Sequence, residues 1–218
     1  MILDLLKQYY PLLIQGFIQT LFASLLGLVF SMIIGTVMGI LQTVENKVIR
    51  FLANCYVEFF RNIPLLIIVM FFYVVVPLYW FDVSGFAAGV IGLSLYTSSF
   101  ISDNVTAGIK SIDTGQFEAA LSQGMSWTQM MWYVILPQAI KVIIPTLGNQ
   151  FINLVKNSST LAYVAGLDLM YYGDLIATET FITLDTYVLV GIFYLFITVP
   201  ITYLMKYVES YLANLETV

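Results

Sequence analysis

From Gln8 to Val44 the chain runs 37 residues without a charged side chain. As a helix that stretch would reach about 55 Å, against a hydrocarbon core of about 30 Å. It can only cross a bilayer and project beyond it. Four more uncharged stretches follow: Asn62–Phe81, Val83–Ser102, the shorter Val142–Val155, and Thr186–Met205. Five spans are therefore expected, at about 12–42, 55–77, 85–108, 137–156 and 186–207, in a single all-α integral membrane domain covering residues 1–218. Composition agrees: 60% of the 218 residues are hydrophobic and only 10% charged, where a soluble domain carries about 25% charged residues.

Absences narrow the function classes. The chain has no histidine, which excludes His-ligated haem, His zinc sites, Ser-His triads and His proton relays. Cys55 is the lone cysteine, so no internal disulfide or thiolate cluster can form, and no metal site is expected. A net charge of −5 argues against nucleic acid as a partner. The spans leave no room for a soluble catalytic domain, so energy must come from another subunit or from an ion gradient. The start, Met1-Ile2-Leu3-Asp4, lacks a basic segment, so a cleavable signal peptide is not expected.

Basic residues orient the spans. With the N-terminus outside, Lys47, Arg50, Lys110, Lys141 and Lys206 all fall on the cytoplasmic side and only Lys7 is left outside, while Arg61 and Lys156 sit near span ends. The same choice places Asp4, Asp82, Asp168, Asp174, Glu179 and Asp185 outside. The expectation is N-out, C-in. In the first span Ala23, Gly27, Ser31, Gly35 and Gly39 recur every four residues, a spacing that lets helices approach closely in lipid. Packing within the chain and a subunit interface are both compatible with it.

The segment at about 112–136, between spans three and four, is unlike a simple connection. Asp113-Thr114-Gly115-Gln116 carries a helix-start pattern, and Gly124 can take the left-handed conformation that ends a helix. Ser126-Trp127-Thr128-Gln129 repeats the start signal before Pro137. Two short helices joined by a glycine turn are predicted, with Phe117, Leu121, Trp127, Met130, Met131 and Val134 on their apolar side. Such side chains suit an interface core and a helix seated in a partner's groove; alternatively the hairpin lies on its own spans or on headgroups.

Glu118-Ala119-Ala120, then Gly124, then Val134-Ile135-Leu136-Pro137 resembles the EAA motif of ABC importer permeases, with Val134 where the motif usually has Ile. Tyr56-Val57-Glu58-Phe59-Phe60-Arg61-Asn62-Ile63-Pro64-Leu65-Leu66, Leu136-Pro137-Gln138-Ala139-Ile140 and Phe151-Ile152-Asn153-Leu154-Val155-Lys156-Asn157-Ser158-Ser159 are similar to blocks of the polar amino-acid (histidine/glutamine-type) permeases. The resemblance covers nearly the whole chain. It implies a type I importer core in a prokaryotic plasma membrane, acting without catalysis of its own. It implies a second permease subunit, identical or related, two cytoplasmic ABC ATPases that bind the ATP and Mg, and an extracellular amino-acid-binding protein. Glu118, Ala119, Ala120, Gly124, Leu136 and Pro137 would form the ATPase-coupling element, with Glu118 pairing to a basic group on the ATPase.

Ionisable groups at membrane depth are costly and so are functional candidates. Glu58 and Arg61 lie three apart, on one helical face, and can pair with each other. A zwitterionic amino acid needs a cationic donor and an anionic acceptor. Arg61 suits the carboxylate through its planar fork, and Asp103 suits the ammonium. Lys156-Asn157-Ser158-Ser159 reads as broken helix lining a polar cavity. The substrate path expected from these residues comprises Glu58, Arg61, Asp103, Lys156, Asn157, Ser158 and Ser159. In the resembling family the position of Asn157 is often acidic in permeases for cationic amino acids, that of Asp103 is usually Glu, and that of Thr106 is commonly Arg. The amide at Asn157 favours glutamine or glutamate over arginine or lysine. A stand-alone ion-coupled carrier or channel would explain the buried charges but leaves the hairpin without a purpose, and an intramembrane enzyme lacks a defensible catalytic pair.

Overall fold

The computed structural model describes residues 2–214, which are almost wholly helical and contain no strand. Helix α1 (Ile2–Leu41) is 40 residues long, about 60 Å at 1.5 Å per residue. It begins ten residues before the expected start of the span at about 12. The added turns are stabilised by burial of Leu5 and Leu13 in one cluster with Leu169, Ile176, Leu189 and Val190. Leu169 and Ile176 belong to a helix that the hydropathy pattern does not announce.

The expected second span is two helices, α2 (Lys47–Asn62) and α3 (Leu65–Tyr79), bent by 102° where they meet. Pro64 causes the break. It excludes the preceding residue from helical geometry, and Ile63 is accordingly extended, at φ −101° and ψ 134°. Asn62 Nδ2 then donates to the Glu58 carbonyl, satisfying a group freed at the end of α2.

Helix α4 (Gly85–Lys110) is the central post. Its N-terminus is capped by Ser84, whose hydroxyl accepts from the Ala87 amide. The small-residue stripe of α1 lies against it. A Cβ built on Gly35 would stand 2.7 Å from Ile101 Cβ, and one on Gly39 would stand 2.6 Å from Val105 Cβ. The stripe therefore packs within the chain, and the subunit-interface reading does not hold for these residues.

After the short helix α5 (Thr114–Ser122), one continuous apolar run, α6 (Trp127–Val164), carries both the second hairpin helix and the fourth span. The expectation that the hairpin ends before Pro137 is corrected. Proline lacks the N–H and its ring crowds the carbonyl four residues back. Just ahead of it, at Met131–Ile135, the helix widens to a π-turn, in which the Leu136 N–H reaches the Met131 carbonyl. The same device precedes Pro77, where the Val76 N–H bonds the Phe71 carbonyl. Helix α6 ends in a 3₁₀ stretch, Ser158–Val164.

Helix α7 (Leu169–Thr180) falls in what reads as a polar connection between spans four and five. Asp168 caps it, accepting from the Met170 and Tyr171 amides. Thr20 of α1 takes the Leu169 N–H, and a Cβ on Gly16 would sit 2.8 Å from Leu169 Cα. Helix α8 (Thr183–Asn214) completes the bundle and extends past both ends of the expected span.

Candidate functional site: a coupling hairpin and a polar cavity

The hairpin forms as its local signals require. Asp113 caps α5 by accepting from the Gly115 amide. Gly124 sits at φ +78° with nothing within 4 Å of its missing Cβ, and the Met125 N–H closes on the Ala120 carbonyl beyond it. Ser126 and Gln129 then form a complete capping box at the start of α6.

Packing sorts the hairpin's side chains into two faces. Ala120, Met130, Met131, Ile135 and Leu136 are buried in one cluster with Ile101, Val105 and Ile109 of α4, and Phe117, Trp127 and Val134 pack against it. Most of the apolar side is thus occupied by the chain's own spans, not left open for a partner. The outward face carries Glu118, Ala119, Leu121, Gly124 and Pro137. Of the six coupling candidates, four are surface residues, while Ala120 and Leu136 hold the hairpin onto the bundle.

Between α4 and α6 lies a polar cavity of about 330 Å³, lined by Tyr96, Thr97, Phe100, Gln150, Asn153, Leu154 and Asn157. Gln150, Asn153 and Asn157 fall at i, i+3 and i+7, so three carboxamides share one helix face. The sequence reading reached Asn157 but missed Gln150 and Asn153. Their signal was present as amides recurring at helical spacing inside the apolar run Val142–Val155.

At the side of this cavity, Arg61 pairs with Asp103, and its guanidinium carbon lies 5.5 Å above the centroid of Phe100, a cavity-lining ring. Arg61 does not pair with Glu58, which instead accepts from Asn62 at 3.0 Å. Asn104 Nδ2 is buried without a partner among the described residues. Thr106 joins α4 to the end of α1, its hydroxyl donating to Gln42 Oε1 at 2.7 Å with the Gly39 carbonyl as the alternative acceptor at 3.0 Å. Ser102 donates to the same Gln42 oxygen, and Gln42 Nε2 reaches Asn54 Oδ1. This amide ties α1, α2 and α4 together.

The Lys156–Ser159 block does not line one cavity. Asn157 faces the amides. Ser158 is fully buried, its hydroxyl donating to the Val155 carbonyl. Lys156 and Ser159 face a different groove, with Met170, Tyr187, Val190, Gly191 and Tyr194. A helix block read from sequence as one lining thus points three ways, because successive residues are about 100° apart around the axis.

Asp168, in the connection between spans four and five, is the most deeply buried carboxyl among the described residues. Burial pushes it up to about 6, although the two cap amides and Tyr194 favour its charged form. No group of three His, Cys, Asp or Glu side chains suitable for a metal ion occurs among the described residues.

Residues 27–213 match the family described as binding-protein-dependent transport system inner membrane component. The chain belongs to that family. The permease is 44% identical over 207 residues to the "Probable glutamine ABC transporter permease protein GlnM" of Bacillus subtilis (strain 168), covering 95% of this chain and 96% of the relative. It is 32% identical to the "Probable amino-acid ABC transporter permease protein y4tG" of Sinorhizobium fredii (strain NBRC 101917 / NGR234), with 91% and 86% covered. Among solved structures it superposes on a chain of an amino acid ABC transporter crystallised with histidines, at a TM-score of 0.87 and 32% identity, covering 96% of this permease and 98% of that chain. The inward-facing MetNI methionine transporter shares the fold at a TM-score of 0.83 and 21% identity, with 94% and 98% covered. The permease is thus a multi-pass membrane component of an ABC importer, with the all-α type I architecture.

Proposed function

We propose that the permease moves glutamine, or a closely related polar amino acid, across the plasma membrane by alternating access driven by partner ATPases. The observation that carries this reading is the amide-lined cavity beside the Arg61–Asp103 pair, in a chain 44% identical to a relative named as a glutamine permease. Gln150, Asn153 and Asn157 offer both donors and acceptors to a neutral carboxamide. A cationic side chain would find no carboxylate among the lining residues. Arg61 and Asp103 satisfy each other without substrate. A zwitterion could exchange that one pair for two, its carboxylate on Arg61 and its ammonium on Asp103.

In this reading the N-terminus is outside and the hairpin cytoplasmic, as the basic residues favour. The outward face of α5, with Glu118, docks into an ABC ATPase that binds ATP and Mg. A second permease subunit completes the path, and an extracellular binding protein delivers the amino acid. Helix α6 joins the two ends mechanically, since the hairpin and the cavity-lining amides lie on one continuous run. Motion imposed at α5 passes to the start of α6 through the Gly124 turn and the packing of Ala120 beside Met130 and Met131, and from there reaches the cavity along one helix.

The test is reconstitution with the cognate ATPase and binding protein in vesicles. ATP-dependent glutamine uptake, competed by glutamine better than by arginine, is expected. Uptake driven by an ion gradient without the ATPase would instead establish a stand-alone carrier.

A further inference from the structure

Next to the wall of the amide cavity, α1, α6, α8 and the residue ahead of α7 meet in one polar cluster. Thr20 of α1, Ser158 of α6 and Asp168 ahead of α7 are all fully buried. Tyr194 of α8 donates its hydroxyl proton to Asp168 Oδ2 at 3.3 Å, and its oxygen lies beside the hydroxyls of Ser158 and Thr20. Thr20 in turn accepts the Leu169 N–H at 2.9 Å. Tyr194 thus faces each of the other members. Capping does not require a carboxyl at position 168, since Asn or Ser caps a helix about as well as Asp without the cost of burying an ionisable group. What the carboxyl adds is a tie: it accepts both α7 amides and the Tyr194 hydroxyl together.

Satisfied buried networks of this kind rigidify a core and select one arrangement. Ser158 shows what is selected here. It begins the 3₁₀ stretch Ser158–Val164 and directly follows Asn157, a wall residue of the amide cavity. Leu161 packs against Gly89 of α4, which sets how closely the end of α6 approaches α4, but apolar attraction is non-directional. The rotation of α6 about its own axis calls for directional bonds. An amide carried about 6 Å from a helix axis moves about 1 Å for each 10° of rotation. A displacement of that size degrades a hydrogen bond to a bound molecule. Tyr194 is not among the residues lining the amide cavity; its ring faces the separate groove of Lys156. Any effect it has on the cavity therefore passes through α6.

We propose that Tyr194 is a positioning residue for the substrate cavity: its hydroxyl, held by Asp168, fixes Ser158 and so aims the Asn157 carboxamide at the bound amino acid. The role rests on the reading of the amide cavity as the substrate site.

Equilibrium binding of glutamine to the detergent-purified complex of permease and ATPase tests this, in the absence of the binding protein. Tyr194→Phe keeps the ring and removes the hydroxyl. Its dissociation constant for glutamine is expected to rise about three- to tenfold, the equivalent of one misaligned neutral hydrogen bond. Asn157→Ala should weaken binding by itself. Tyr194→Phe added to Asn157→Ala should weaken it no further, because both act through one amide. An equal loss from Tyr194→Phe in the two backgrounds marks a general structural role and overturns the proposal. So does wild-type affinity in Tyr194→Phe beside a weakened Asn157→Ala. Wild-type affinity in both single variants overturns the reading of the cavity itself, and the positioning role falls with it. Should Tyr194→Phe fail to assemble, Ser158→Ala decides alone. It removes the hydroxyl beside Tyr194, and unchanged glutamine affinity in that variant overturns the proposal.

Discussion

Arg61 and Asp103, 42 positions apart in sequence, meet as an ion pair between the elbow of the bent second span and the third span. Their side chains keep 39% and 35% of their exposure, so the pair is worth about 0–1 kcal/mol to the fold. Asp103→Asn should therefore change thermal stability little. If the pair opens to receive the substrate, losing the ammonium's charged partner removes a hydrogen bond worth about 1.5–3 kcal/mol. The glutamine concentration for half-maximal uptake should rise at least about tenfold. Uptake kinetics measured beside a melting curve separate the two effects, and unchanged kinetics remove Asp103 from the path.

At the hairpin, Gly124→Val introduces no clash, because nothing lies within 4 Å of the new Cβ. It does place a β-branched residue at φ +78°, which costs about 1–2 kcal/mol locally. Membrane insertion should persist while ATP hydrolysis and transport come uncoupled. Parallel assays of ATPase rate and uptake check this, and wild-type transport in the variant would contradict a docking role for the turn.

Asn157→Asp adds a carboxylate to a cavity wall otherwise made of amides, hydroxyls, aromatic rings and Leu154. Competition for uptake should shift toward arginine and lysine. A profile across glutamine, glutamate and arginine that does not move would take Asn157 off the substrate-facing wall.

The two glycine environments predict opposite outcomes for the same substitution. Gly39→Ala forces a methyl to within 2.6 Å of Val105 Cβ, and overpacking of this kind costs about 1–3 kcal/mol. Gly191→Ala enters open space and should be neutral within about 0.5 kcal/mol. Melting temperatures of the two variants in one detergent make the comparison.

Asp168 gives a pH dependence of definite sign. Its carboxyl lies near pH 6 in the folded chain against an ordinary 3.8, so the fold holds the extra proton. The associated stability is fully present below about pH 4 and is lost as pH rises through about 6, up to about 3 kcal/mol in all. Asp168→Asn cannot titrate and keeps one acceptor oxygen for the α7 cap. The difference in melting temperature between wild type and variant should therefore change between about pH 4 and 7 and be flat above. A difference constant across that range would place the group at its ordinary value.

Much of the architecture is legible without coordinates because it depends on local chemistry. Uncharged runs of bilayer length mark the spans, and Asp113, Gly124 and Ser126 each act on backbone groups within five residues of themselves. Helix α7 was not legible. Twelve residues carrying Asp174 and Glu179 are neither long nor apolar enough to span, and they become a helix only because α1 and α8 bury one side. Near prolines the signal was ambiguous: Pro64 breaks its span, while a π-turn lets α6 run on through Pro137.

The uncharged run from Gln8 to Val44 determined by itself that this chain lives in a bilayer, and the EAA-like spacing around Glu118 and Gly124 determined what kind of membrane protein it resembles. Hydrocarbon thickness and helix capping act along the chain, so a sequence can carry them. Tertiary structure alone decided that the α1 stripe meets α4, that Arg61 chooses Asp103 over Glu58, and that Asn157 and Lys156 open into different cavities. Each of those outcomes depends on how a helix is rotated against a neighbour distant in sequence. Only close packing of the whole bundle fixes that rotation.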